Sequence, residues 1–399
     1  MTDTTAPKRA PAQAENYSRG TNQGGMREGN ERVVLTVLRR RPGITKAEIS
    51  RTTGLSAQTV ARLIAALEED GLILRGTPQR GRIGQPAIPL TLNPEGAIFL
   101  GMKVGRRSVE MIAIDFLGAV LDREQVLHSY PDFDDVLAFT VAAAERIRER
   151  LPENLKSRVA GLGVAMPFHL WNWATRIGVD SAAMANWQHR DLRAEIAEAL
   201  DVPVFLQNDA TAAASAEMVF GKESYGASAL SFYIAFFVGG GLVLNHSLYA
   251  GTTGNAAGLG PLTIKDRDGQ ARTLIEVASL SVLEQKLAGA GVDTQRLWTA
   301  PDAWDFPADI VDAWCRDCAH ALASASLNVQ TLLDLETILI DGWLPRDILG
   351  RLVSATRDAF AELELAGIEV PQFVQGTVGK DARPIGAASL PLGHRYLQI

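Results

Sequence analysis

The sequence predicts a two-part protein: a winged helix-turn-helix head, then an α/β body of two lobes with a cleft between them. Three observations carry this prediction. Residues 30–96 hold three short amphipathic helical patterns, followed by two apolar runs around a Gly/Pro/Arg tip. From residue 97 to 399, strand-like apolar runs alternate with amphipathic helices, and a strand meander followed by βα units occurs twice. At 399 residues the chain also exceeds what one ordinary core organises.

Residues 1–29 are polar and rich in Gly, Thr and Asn. They lack the apolar stretch of a signal peptide and are expected to form a mobile tail. "NERVVLTVLRRR" then places Val33, Val34, Val37 and Leu38 on one helical face, stopped by Pro42-Gly43. "TKAEISRTTG" opens with a capping box, Thr45 with Glu48, and closes on Gly54. Ser56 is the expected N-cap of "LSAQTVARLIAALEEDG", which buries Val60, Leu63, Ile64 and Leu67. "LILRGTPQRGRIGQPAIPLTL" reads as the hairpin wing.

This pattern implies double-stranded DNA as a partner. The first turns of the second helix-turn-helix helix would enter the major groove with Ser56, Ala57, Gln58, Thr59 and Arg62. Gln suits adenine in a bidentate pair, and Arg suits guanine or phosphate. Thr45 and its helix N-terminus are candidates for a backbone phosphate. Arg80 and Arg82 at the wing tip are candidates for the minor groove. The competing reading is a protein-interaction module whose arginines are only solvated. Charge favours DNA modestly: residues 1–96 carry 14 Lys/Arg against 9 Asp/Glu, or +5, and the remainder 25 against 37, or −12.

In the body, "AIFLGMKVG" and "SVEMIAIDFLGAVLDREQVL" read as two or three antiparallel strands, "VAGLGVAM" and "PVFLQ" as further strands, and "FDDVLAFTVAAAERIRERL" and "HRDLRAEIAEAL" as helices. An Ala-rich helix follows Asn208-Asp209. Later strands are expected in "ALSFYIAFFVGGGLVLNHSLYAG", "ETILIDG" and "QFVQGTV". No run is apolar and long enough for a membrane span. With two cysteines, both in the helical pattern "IVDAWCRDCAHALASASLNV", disulfides are not expected and a cytoplasmic location is.

Four stretches carry a family resemblance: "GLGVAMP" (161–167), "VPVFLQNDATAAASAE" (202–217), "VGGGLVLNHSLYAGTTGNAAGLG" (238–260) and "PIGAASL" (384–390). Over residues 30–393 the chain resembles the ROK family of repressors and sugar kinases, built on the actin-like ATPase fold. The resemblance implies a duplicated sugar-kinase-like body with a central cleft and, where a winged helix precedes it, a sugar-responsive repressor acting as a dimer.

The departures from the family pattern separate regulator from enzyme. Lys103 stands in "GMKVGRRS" where the kinases of the family have the Asp that serves phosphate and metal, and a lysine cannot hold Mg²⁺. Arg106 and Arg107 replace small residues there. Gly258 and Pro261 stand where the family has the Glu and His of its sugar and zinc stretch, and the following loop has no cysteine. Ala183 stands where an Asn precedes a Trp, here Trp187. No metal and no cofactor are therefore expected.

Asn208 and Asp209 remain as candidate ligand-gripping residues, with Asn186 and Asn255 beside them in the motifs. The bland reading of Asn208-Asp209 is a helix cap. His169, Trp171 and Trp173 are cleft candidates with equally good loop-packing alternatives, and for His246 a surface turn is the favoured alternative. The expected protein is a DNA-binding repressor controlled by a small, sugar-like or polyol effector. The alternatives are an ATP-dependent sugar kinase carrying a DNA-binding head, and a constitutive DNA binder whose body has lost its effector.

Overall fold

The computed structural model describes residues 23–78, 87–174, 178–222 and 226–398. Its first helix, α1 (Gln23–Arg40), begins inside the expected tail, so residues 23–29 are helical where irregular chain was predicted. The helix-turn-helix follows as α2 (Lys46–Thr53) and α3 (Ala57–Glu69). The capping box forms: Thr45 Oγ1 accepts from the Glu48 amide, and Glu48 Oε2 accepts from the Thr45 amide at 2.8 Å. Gly54 closes α2 at φ 72°, a left-handed position that costs a residue with a Cβ dearly. The wing strands β1 (Ile73–Arg75) and β2 (Leu90–Leu92) pair antiparallel, and Ile44 bridges Leu90.

The body repeats one sheet plan. Its first lobe holds β3 (Ile98–Val104), β4 (Ser108–Ile114), β5 (Val120–Leu127), β6 (Val159–Met166) and β7 (Val204–Asn208), in the order β5-β4-β3-β6-β7. Helices α4 (Phe133–Arg150) and α5 (Leu192–Ala199) cover it. The second lobe holds β8 (Ala229–Ile234), β9 (Gly239–Leu244), β10 (Ser247–Leu248), β13 (Thr337–Gly342) and β14 (Gln372–Gln375), in the order β10-β9-β8-β13-β14. In each sheet the first three strands in sequence pair antiparallel and the last two add in parallel. A hairpin, β11 (Thr263–Lys265) with β12 (Ala271–Thr273), and helices α7 (Leu280–Gly289), α8 (Ala308–Leu333) and α9 (Arg346–Ala361) complete this lobe.

Two helices trade places between the lobes. α6 (Asp209–Phe220) leaves the first lobe and packs on β9 and β8, while α10 (Ala382–Tyr396) leaves the second and packs on β3 and β6. They cross each other at very short range. A Cβ on Gly386 would lie 1.7 Å from the Ala212 carbonyl oxygen; α10 lies equally close to its sheet, where a Cβ on Gly163 of β6 would lie 1.8 Å from the Ala387 carbonyl oxygen. This is why residues 210–216 are all Ala, Ser or Thr: the helix is covered on several sides there and has room only for small side chains.

The head shares its core with the first lobe. Leu35, Leu72 and Leu92 belong to one buried cluster with Phe99, Phe116 and Tyr396. The three aromatic rings meet at centroid distances of 5.1–6.2 Å. Arg39 of α1 donates to the Phe116 carbonyl and lies over the Phe116 and Phe220 rings at 5.6 and 5.2 Å. Its burial lowers the guanidinium pKa to about 10. Arg158 Nη1 donates to the Asp70 carbonyl at 2.7 Å, and the Gln398 amide donates to Thr36 Oγ1 at 2.9 Å.

Candidate functional site

The candidate DNA face is the start of α3. Ser56 caps it, accepting from the Thr59 amide at 3.1 Å. Burial of Val60, Leu63, Ile64 and Leu67 on the opposite side leaves Ser56, Ala57, Gln58 and Arg62 exposed, with Thr59 half-buried. Thr45 is less available than its sequence position implied. Its hydroxyl and amide both donate to Glu48 Oε2, so a carboxylate already sits at the N-terminus of α2. Arg80 and Arg82 lie outside the described residues.

Between the lobes lies a cleft of about 520 Å³. Asn208, Asp209 and Asn255 line it together with Arg106, His169 and Arg383. Phe168, Phe236, Phe237, Leu259, Pro261 and Ile275 supply apolar wall. The β7–α6 junction divides its work between two neighbours. Asn208 is the cap, with Oδ1 accepting from the Ala210 and Thr211 amides at 3.1 and 3.4 Å. Asp209 begins the helix, accepts from the Ala210 amide at 3.0 Å, and holds Arg383 Nη1 at 3.3 Å through Oδ2.

Arg383 is the residue that sequence reading missed. Its side chain is 13% exposed and lies over the Tyr233 ring at 5.4 Å, and its Nε is buried without a hydrogen-bond partner. Its signal was present: a lone arginine directly before the apolar "PIGAASL" helix. Burial pushes the Tyr233 phenol above its ordinary range.

Other candidates scatter. Asn186 is exposed and is not among the residues lining the cleft. Its neighbour Trp187 is buried in the first lobe, with Nε1 donating to the Pro131 carbonyl at 2.8 Å, and adjacent positions on a helical turn face different ways. His169 lines the cleft with its ring 5.0 Å from Trp171, which packs against the first-lobe core. The Trp173 side chain lies outside the described residues. His246 is an exposed turn residue at φ 62°. Gly258 and Pro261 do line the cleft. Cys315 and Cys318 are buried in α8, where burial pushes the Cys315 thiol up to about 11 and the Cys318 thiol well above its ordinary value. Among the described residues no group of three or more His, Cys, Asp or Glu is placed to hold a metal ion.

Beyond the cleft, Lys103 is held inside the protein. Its Nζ lies 3.1 Å from Glu110 Oε2, Glu110 Oε1 lies 2.6 Å from Arg123, and Arg123 lies 2.9 Å from Asp381. Burial lowers the Lys103 pKa to about 8. The β3–β4 turn then reaches the other lobe: Arg106 stacks over Phe236 at 4.4 Å, and Arg107 pairs with Glu284 at 2.7 Å over Trp298. A second carboxylate pair engages the loop before α10. Glu217 Oε1 accepts from the Thr377 and Val378 amides, and Asp341 Oδ2 from the Gly379 amide at 2.8 Å. Burial, then proximity to Glu217, raises the Asp341 carboxyl well above the ordinary carboxylate range.

Comparison with known proteins places this geometry. The model described as "ROK family" matches residues 99–393, and the one described as "Winged helix-turn-helix DNA-binding" matches residues 27–73. An uncharacterised protein of Sinorhizobium fredii is 27% identical over 91% of this chain and 90% of its own. The xylose repressor of Bacillus spizizenii is 26% identical over 61% of this chain and 62% of its own, so the match spans about three fifths of that relative. A solved structure described as a ROK family transcriptional regulator, a homologue of the Escherichia coli MLC protein, is 24% identical over 92% of this chain and 96% of that one. Its TM-score of 0.66 establishes the shared fold.

Proposed function

We propose, from the premise that this chain belongs to the ROK family, that it is a DNA-binding transcription repressor whose operator affinity is set by a small sugar-like or polyol ligand in the interlobe cleft. The observation that carries this reading is α10. Arg383 in its first turn lines the cleft, and Tyr396 at its last turn belongs to the core shared with the head. A ligand that shifts Arg383 therefore acts on a helix of 15 residues whose far end packs against α1 of the head. A ligand that prefers one lobe arrangement biases the position of the head.

Two such heads on a dimer would meet a pseudo-palindromic operator, with Gln58 and Arg62 as base-reading candidates and Ser56, Ala57 and Thr59 beside them. Thr45, Arg80 and Arg82 remain proposed backbone contacts. Asn208 and Asn255, with Asp209, are proposed to grip ligand hydroxyls. A kinase reading is disfavoured by Lys103, which offers a buried, Glu110-bound ammonium where a metal-holding carboxylate is needed.

The test is to select operator DNA with the full-length protein and titrate sugars and polyols against the complex. Release of DNA without ATP turnover supports the reading. Sugar phosphorylation from ATP, or DNA binding that shows no sequence preference, would replace it.

A further inference from the structure

We propose that the β3–β4 turn is a releasable latch across the cleft. Arg106 and Arg107 hold the two lobes at their present separation, and the lobes part only when these side chains let go of Phe236, Glu284 and Trp298. This device goes beyond the repressor reading and stands without it.

The turn itself is tied to the first lobe. The Gly105 amide donates to the Ser108 carbonyl at 2.9 Å, and the Arg107 carbonyl accepts from the His128 amide at 3.0 Å. Its side chains reach an aromatic surface of the second lobe gathered from three segments: Phe236 between β8 and β9, Trp298 between α7 and α8, and Trp343 just after β13. Arg106 lies over Phe236 at 4.4 Å and Arg107 over Trp298 at 5.1 Å. From the strand before the turn, Lys103 lies over Trp343 at 5.7 Å. The receiving surface is packed as one unit. The Phe236 ring centroid is 5.5 Å from that of Trp298 and 4.6 Å from that of Phe237, and Trp343 Nε1 donates to the Leu297 carbonyl at 3.0 Å.

Glu284 turns this stacking into a catch. Its Oε1 accepts from Arg107 Nη2 and from Trp298 Nε1, each at 2.7 Å, so the ring beneath the guanidinium also orients the carboxylate that pairs with it. The catch is able to release because the Arg107 side chain is 44% exposed, and an ion pair open to water is weak and sensitive to salt. Arg106 and Phe236 both line the cleft, so the latch is part of its wall and sets the width available to a ligand. A ligand that needs wider lobes must offset the latch, and one that fits the latched width is favoured by it.

The experiment places spin labels on the full chain at Glu149→Cys in α4 and Asp358→Cys in α9, both exposed, and reads the interlobe distance by pulsed electron resonance. Cys315 and Cys318 are buried with raised thiol pKa values and label slowly. Excess unlabelled chain confines each distance to one molecule. Arg107→Gln should lengthen the mean distance by about 2 Å or more, and Arg107→Lys should recover part of the original value. Glu284→Gln should reproduce the lengthening alone and add nothing to a chain already carrying Arg107→Gln. Raising salt should move the unaltered chain toward the same distribution. A distribution unchanged by Arg106→Ala together with Arg107→Ala overturns the latch, and so does an Arg107→Gln effect that Glu284→Gln fails to reproduce. If the lobes part while operator affinity moves by less than about fivefold, the latch stands and the coupling of cleft to head fails. Absence of operator binding sinks the repressor reading and leaves the latch to be decided by the distances.

Discussion

Arg383 Nη1 sits 3.3 Å from Oδ2 of Asp209, which ties the first turn of α10 to the first turn of α6. These are the two helices that cross between the lobes, so one ion pair fastens both at the mouth of the cleft. A double-mutant cycle of Asp209→Asn and Arg383→Met should give a coupling of about 1–2 kcal/mol in urea unfolding. Asn208→Ala should cost about 1 kcal/mol through loss of the cap alone and should be additive with Arg383→Met. Coupling near zero in the first cycle would reduce the pair to mere neighbours.

Glu110→Gln strips Lys103 of its carboxylate partner where both side chains are about 5% exposed or less. The loss expected is about 3–5 kcal/mol, because it leaves a charge buried and uncompensated. Chemical denaturation of the variant settles this, and a loss under about 1 kcal/mol would mean that water reaches the site or that Lys103 sheds its proton.

Asp341 carries the pH prediction. Its folded pKa is raised, so the folded state holds a proton that the unfolded state has already released once pH passes about 4. Stability from this group therefore falls as pH rises from about 4 toward its raised folded value. Asp341→Asn should leave melting at about pH 4 nearly unchanged and raise the melting temperature at about pH 8. The same shift at both pH values would exclude ionisation as the cause.

At the DNA face, Gln58→Ala should cost about 1–3 kcal/mol on the selected operator and relax preference at one base position. Arg62→Ala should instead lower affinity across sequences and flatten the salt dependence if it meets phosphate. Anisotropy at several salt concentrations distinguishes the two behaviours.

Gly386→Ala should destabilise the protein by about 3 kcal/mol or more, since the new Cβ would fall 1.7 Å from a backbone oxygen of α6. A mild effect, read by thermal melting, would show that the two helices can separate.

Much of this architecture was readable because it rests on short-range signals. Thr45, Glu48 and Gly54 mark α2 from cap to stop, and continuous apolar runs mark the buried strands of both sheets. Asn208, Asp209 and Asn255 were recognisable as cleft residues from their motifs. Arg383 was not, because its role depends on a helix returning from the second lobe to meet Asp209, 174 positions earlier in the chain. Asn186 failed for the reverse reason: burial of Trp187 decides which way its turn faces, and motif proximity carries no such information. The early start of α1 at Gln23 was hidden by a Gly-rich, polar stretch whose local composition argues against helix.

The shared core of Leu35, Leu72, Phe99, Phe116 and Tyr396 bears on how such regulators can be recombined. A chimaera cut between the wing and β3 would bare aliphatic surface on the head and aromatic surface on the body, and invite aggregation. A transplantable unit must carry the β4–β5 turn with Phe116 and the chain end beyond His394 along with the winged helix. Exchange of DNA specificity in this scaffold is thus more readily reached by rewriting the exposed positions of α3 than by swapping whole heads.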